Sequence, residues 1–217
     1  MNKTEIIQKT ERYVREKLEG EGSGHDWWHI HRVRNTALTL SKQEEADVFV
    51  VELAALLHDI ADHKFNDGDE EAGPATAQKW LQKLNLDESI IDHICAIIRA
   101  VSFKGANVAT PMQTIEGKIV QDADRLDALG AIGVARAFAY GGYSGRELHN
   151  PTIPPQKHDS FEAYKTSTGP TLNHFYEKLL LLKDRMNTET GKRLAKSRHD
   201  FMEAYINRFL DEWEGFE

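Results

Sequence analysis

The stretch Val48–Leu57, VFVVELAALL, holds nine apolar residues and a single glutamate, Glu52. Wound into a helix with side chains every 100°, it is apolar almost all round, and such a helix is stable only when other elements surround it. His58, Asp59, Asp62 and His63 follow directly. At the end of a buried helix each of these groups costs roughly several kcal/mol unless something pairs with it. A bound cation would serve. The alternative is a core histidine at 58, hydrogen-bonded to a carbonyl, with Asp59 as a polar helix end.

His58 and Asp59 are neighbours, so on a helix they point about 100° apart and cannot chelate from one face. They can meet at an ion lying off the helix end if other helices complete the shell. With 217 residues and 40% hydrophobic content the chain can build one large core, so a single domain over 1–217 is expected. The net charge of −8 argues against a surface that coats nucleic acid. The N-terminal residues lack the uninterrupted apolar core of a signal peptide, and no apolar run reaches membrane-spanning length, so a cytoplasmic protein with no membrane partner is expected. A homo-oligomer is compatible with the sequence. Cys95, the single cysteine, lies in the helical run IIDHICAII and reads as a buried thiol.

Helical periodicity recurs along the chain, and no stretch alternates at period two, so the expected class is all-α. Residues 4–18 form a loosely amphipathic helix that stops at a glycine-rich break. A second helix starts after Asp26 as N-cap, passes Trp28, Ile30, Val33, Ala37 and Leu40, and ends near 43. The apolar helix from 48 runs to about 61. A polar helix over 70–84 is delayed by Gly73-Pro74, and one over 87–101 carries Ile90, Ile91, Ile94, Ile97 and Ile98 on one stripe after Asp87. Residues 114–129 turn Ile115, Ile119, Val120, Ala123 and Leu126 inward, and 130–140 continue as a small-residue helix after a glycine kink. From 141 to 169 there is no sustained period, with four glycines and three prolines, which reads as a lid, a binding loop or disorder. Helices resume over 170–214, the last capped by Thr188 and bearing Leu194, Phe201, Tyr205, Phe209 and Trp213.

His-Asp occurs at 25–26, 58–59 and 199–200, in or beside the expected helices, and a fourth time at 158–159 within the long loop. Asp26 is best explained as a helix cap, and His199-Asp200 sits in a charged stretch that reads as a solvated face. Only the second follows an apolar helix. Its site would need imidazoles and carboxylates from other helices, and His29 and Asp124 are the best candidates.

These residues carry a resemblance. The ordered pattern H-x-x-R-V from His29, then His58-Asp59, then A-D-R-L around Asp124 resembles the HD-domain metal-dependent phosphohydrolase superfamily. The likeness extends to H-D-W-x-H at 25–29, H-D-I-A-D-H-K at 58–64, S-F-K-G at 102–105, D-A-D-R-L-D-A-L-G at 122–130 and H-F-Y-E-K-L at 174–179, so it covers nearly the whole chain. The group it resembles is that of the small stand-alone bacterial HD hydrolases. The resemblance implies an HD-type helical bundle, with a core over about 25–140, a long loop over 141–169 and additional C-terminal helices over 170–214. It implies His29, His58, Asp59 and Asp124 as metal ligands, and nucleotide phosphohydrolase activity.

Two histidines and two carboxylates leave positions open on a six-coordinate ion, which suits Mn²⁺ best, with Fe²⁺, Co²⁺, Mg²⁺ or Ni²⁺ as alternatives, and not a closed structural zinc site. Asp62, one turn beyond His58, is the candidate general base, with His63 as its competitor. In the guanosine-tetraphosphate hydrolase branch of the superfamily the pattern is H-D-x-x-E-D, and here Asp62-His63 stands in place of Glu-Asp. His25, Lys64, Lys104, Arg125 and Arg146 are candidate phosphate binders; the alternative for the lysines and Arg146 is a solvated surface cation, and for Arg125 a pair with Asp122 or Asp127. No G-x-x-x-x-G-K-[ST] loop is present. The expected substrate is a nucleoside or deoxynucleoside triphosphate. The alternatives are a nucleoside monophosphatase, a cyclic-nucleotide phosphodiesterase, or a catalytically silent nucleotide-sensing module.

Overall fold

The computed structural model describes residues 1–20, 26–61, 69, 71–103, 108–156 and 168–216. Among them the chain is all-α, with no strand. It divides into two compact units, one formed by 1–103 with 110–124 and the other by 104–109 with 125–217.

The first unit is built on α3 (Val48–Leu57), against which α1 (Lys3–Leu18), α2 (Trp27–Ser41) and α5 (Glu88–Val101) pack. Val51, Leu53, Ala54, Ala55, Leu56 and Leu57 are wholly buried, as an all-round apolar helix requires. Glu52, the exception in that run, turns to Arg34 of α2, which reaches it through Nε at 2.8 Å and also binds Glu11 of α1 at 3.0 Å. One ion-pair cluster thus ties together the exposed edges of three helices. Expected to continue to 61, α3 ends at Leu57 instead. The N–H of Ile60 bonds back to the Leu57 carbonyl at 3.1 Å, a tighter three-residue closure that ends the regular helix.

Helix starts follow the capping chemistry. Asp26 accepts the His29 N–H at 2.9 Å, and Thr188 accepts that of Gly191 at 3.0 Å. Asp87 occupies the N-cap of α5 without a side-chain bond. The apolar stripe of α5 is Ile91, Ile94, Ile97 and Ile98, with Ile90 at its edge. On α2 the core-facing tryptophan is Trp27, at 6% exposure, and Trp28 points outward at 56%. α4 (Ala72–Lys83) begins beside Gly73-Pro74, and its Trp80 stacks on Tyr13 of α1 at 4.0 Å between ring centroids while its Nε1 donates to Thr10.

α6 (Ile115–Asp127) crosses from the first unit to the second after Asp124. Gly130 follows at φ +73, a left-handed conformation that glycine adopts without strain. α7 (Gly130–Tyr143) then runs three residues past the expected end at 140, so the long loop begins later than its composition implied. Described residues of that loop are tied down: the N–H groups of Thr171 and Leu172 bond to the carbonyls of Glu147 and Leu148. The second unit is completed by α8 (Thr171–Glu177), a 3₁₀ segment (Leu179–Arg185) and α9 (Glu189–Trp213). On α9 the buried stripe is Ala195, His199, Met202 and Ile206. Phe201 and Trp213 lie off that stripe and are 47% and 45% exposed.

Candidate metal centre

His58 caps the C-terminus of α3, and Asp59 stands in the turn beyond it. Leaving the helix at this point resolves the difficulty of two adjacent side chains: His58 Nε2 and Asp59 Oδ2 lie 3.6 Å apart off the helix end. His29, in the first turn of α2, brings its Nε2 to 3.2 Å from His58 Nε2 and 3.4 Å from Asp59 Oδ2. Asp124 of α6 presents Oδ1 at 3.6 Å from His29 and 3.8 Å from His58. His29, His58 and Asp59 form the tighter group, with one donor atom each inside a 4.8 Å span, and Asp124 joins them through the two imidazoles. It is also the most open of the four, its side chain 28% exposed against 1% for each histidine.

The donor set fits a divalent cation. His58 Nδ1 lies 2.9 Å from the Ala55 carbonyl, which can only accept, so Nδ1–H is the donor there and Nε2 is the nitrogen turned toward the group, where it can bind an ion. The two alternatives posed by the sequence for His58 are therefore compatible, since the carbonyl bond on one nitrogen prepares the other. Donor atoms bound at about 2.1 Å to one ion are roughly 3.0 Å apart at right angles and 3.4 Å at tetrahedral angles. The observed separations of 3.2–3.8 Å lie at and just above those values. Two buried imidazoles with two carboxylates also carry a charge that a cation neutralises.

Of the other candidates, Arg125 and Arg146 belong to the second unit. Arg125 is 5% exposed and donates through Nη1 to the Arg185 carbonyl. Arg146 lies over the Tyr140 ring, 5.8 Å from its centroid. Asp127 pairs with Arg136 at 3.0 Å. His25, Asp62, His63, Lys64 and Lys104 lie outside the described residues. Asp200 is exposed and paired with Lys196, as a solvated face requires, but His199 is buried, with Nε2 3.3 Å from Lys183 Nζ and 3.2 Å from Glu203 Oε1. The charged neighbours in sequence hid its place on the inner stripe of α9. The Ala55 carbonyl had no signal in the sequence, because any residue supplies a main-chain acceptor.

The family model for the HD domain matches residues 27–129, a segment holding all four donors. Over its full length the chain is 36% identical to the uncharacterized protein YpgQ of Bacillus subtilis, covering 98% of that protein. This chain belongs to the HD-domain superfamily of metal-dependent phosphohydrolases. The crystal structure of an HD-superfamily hydrolase from Bacillus thuringiensis matches this HD protein with a TM-score of 0.77 at 47% identity, over 99% of this chain and 100% of the other. A crystal structure of B. subtilis YpgQ in complex with ADP matches it with a TM-score of 0.76 at 36% identity, over 97% and 100% of the two chains. Among the described residues of the HD protein, no helix is long and apolar enough to cross a membrane.

Proposed function

We propose that this HD protein hydrolyses nucleoside or deoxynucleoside triphosphates in the cytoplasm, as a single domain holding one divalent ion, with Mn²⁺ favoured. The observation that carries the nucleotide reading is the ADP bound by YpgQ, a relative matched along its whole length. The net charge of −8 favours a small substrate over a nucleic-acid polymer.

His29, His58, Asp59 and Asp124 would hold the ion, whose chemistry when bound is polarisation of a phosphoryl oxygen and acidification of water. The Ala55 carbonyl keeps the His58 lone pair aimed at the site, and the Asp26 cap anchors the turn of α2 that carries His29. Asp62, three residues beyond Asp59, takes a proton from the attacking water; His63 supplies a proton to the leaving oxygen or replaces Asp62 as base. His25, Lys64, Lys104, Arg125 and Arg146 are the cations assigned to the phosphates.

The test is a panel of ribo- and deoxyribonucleoside mono-, di- and triphosphates and cyclic nucleotides, incubated with the purified protein and Mn²⁺. Turnover of triphosphates above all others is expected, with the ratio of pyrophosphate to orthophosphate identifying the bond broken. Preferential turnover of monophosphates or cyclic nucleotides would overturn the triphosphate reading. Nucleotide binding without turnover would make the protein a sensing module.

A further inference from the structure

The final turn of α6 is gripped by two arginines, Arg136 from the next helix and Arg198 from far along the chain. A helix leaves its last carbonyls without intrahelical partners and concentrates partial negative charge there. The Leu126 carbonyl accepts the Leu129 N–H at 3.1 Å and also Nη1 of Arg198 on α9, and the Asp127 carboxylate accepts from Nη1 of Arg136 on α7 at 3.0 Å. Arg198 can occupy that place because residue 130 is glycine. A Cβ at Gly130 would lie 3.1 Å from Arg198 Cγ and 3.2 Å from its Cβ, and the φ of +73 would itself be strained. The Arg198 guanidinium, planar and rigid, therefore meets a main-chain oxygen in a fixed direction. All these contacts lie within the second unit, and Asp124 immediately precedes that unit's part of α6.

We propose that Arg198 is a positioning residue for Asp124: by holding the Leu126 carbonyl it sets the rotation of the last turn of α6, and with it the direction in which Asp124 presents its carboxylate to His29 and His58. The inference rests on the reading of Asp124 as a metal ligand. At 28% exposure the Asp124 side chain is not locked by its own packing, so its direction comes from the helix that carries it. A carboxylate about 5 Å from a helix axis moves roughly 2 Å when the helix turns by about 20°. Ligand distances in a metal site tolerate about 0.2 Å.

Calorimetric titration of Mn²⁺ into the metal-stripped full-length protein tests this, with a thermal melt of each metal-free variant alongside. Arg198→Met, which keeps the stem and removes the donors, is expected to weaken Mn²⁺ binding roughly tenfold or more, the range for lost outer-sphere partners. Arg198→Lys, which restores a cation in reach of the carbonyl, is expected to recover most of that loss. A merely structural loss would lower the melting temperature and the bound stoichiometry while leaving the Kd of the folded fraction unchanged, and that result would overturn the proposal. So would wild-type Mn²⁺ affinity in Arg198→Met when Asp124→Ala has lost it, in which case the ligand reading survives. Wild-type affinity in Asp124→Ala would remove both. Should Arg198→Met fail to fold, Gly130→Ala displaces the same side chain: weakened Mn²⁺ binding there supports the proposal and unchanged binding overturns it.

Discussion

His29 and His58 meet nitrogen to nitrogen, Nε2 to Nε2, at 3.2 Å, while the far nitrogen of His58 is committed to the Ala55 carbonyl. Two imidazole nitrogens facing each other, with two carboxylates alongside, form an arrangement that water does not stabilise at 1% exposure of the histidines. Removal of any one donor should leave the remaining charge cluster without its counterion. We expect His29→Ala, His58→Ala, Asp59→Ala and Asp124→Ala each to abolish tight metal binding and activity, measured by metal content after dialysis and by nucleotide turnover. Asp200→Asn should change neither. His199→Ala should lower the melting temperature, since His199 is buried, yet leave metal content intact. Stoichiometric metal retained by His58→Ala would refute the ligand assignment.

Asp62→Asn keeps the shape of the side chain and removes its proton acceptor. Turnover should fall by roughly 10²–10⁴-fold, the range of general acid–base catalysis, with metal content near that of the wild type. If metal and activity disappear together, Asp62 is a ligand. If both persist, His63 is the next candidate base, and His63→Gln should then slow substrates with poor leaving groups most.

Leu53 is wholly buried in α3, the helix that ends at His58. Leu53→Ala should cost about 2–5 kcal/mol of unfolding free energy, read from urea denaturation, because a cavity is added to the lost burial. An effect below about 1 kcal/mol would mean that this helix is not the centre of the cooperative core.

Cys95 is 4% exposed, and its Sγ lies 3.4 Å from the Pro74 carbonyl. Burial pushes its thiol pKa up, against a smaller opposing pull from Arg99. The folded protein therefore holds this proton more tightly than the unfolded chain does. Its contribution to stability is complete below the unfolded thiol pKa of about 8.5 and is lost as pH rises past it toward the folded value. Alkylation by iodoacetamide at pH 8.5 should be slow in the native protein and fast in urea, and Cys95→Ala should flatten the decline of stability above that pH. Rapid native-state labelling would contradict the burial.

Much of the fold was legible because a helix is a local object. The caps at Asp26 and Thr188, the isoleucine stripe of α5 and the apolar run of α3 are each written within a few consecutive residues. Where the reading missed, the deciding contact came from elsewhere in the chain. Which of Trp27 and Trp28 faces inward depends on what α2 packs against: the periodic reading ran through Trp28, and the packed face holds Trp27. His199 lay among charges in sequence, but the pattern of Ala195, Met202 and Ile206 around it puts it on the buried stripe.

The sequence by itself determined that the chain is helical, that α3 must be surrounded, and that ionisable groups at its end require a partner, because composition and period act through neighbours. It also pointed to His29, His58, Asp59 and Asp124 as candidate ligands, by their order and by the family they resemble. Only the tertiary structure decided that these four side chains meet, each imidazole within 3.2–3.8 Å of the other and of both carboxylates. Residues 29, 58–59 and 124 are brought together by the packing of separate helices, and no local pattern encodes a distance between them. The end of α3 at Leu57, the proton on His58 Nδ1 and the grip of Arg198 on α6 were decided in the same way. Each depends on a main-chain carbonyl, a group that every residue carries and that acquires a role only from what folding places against it.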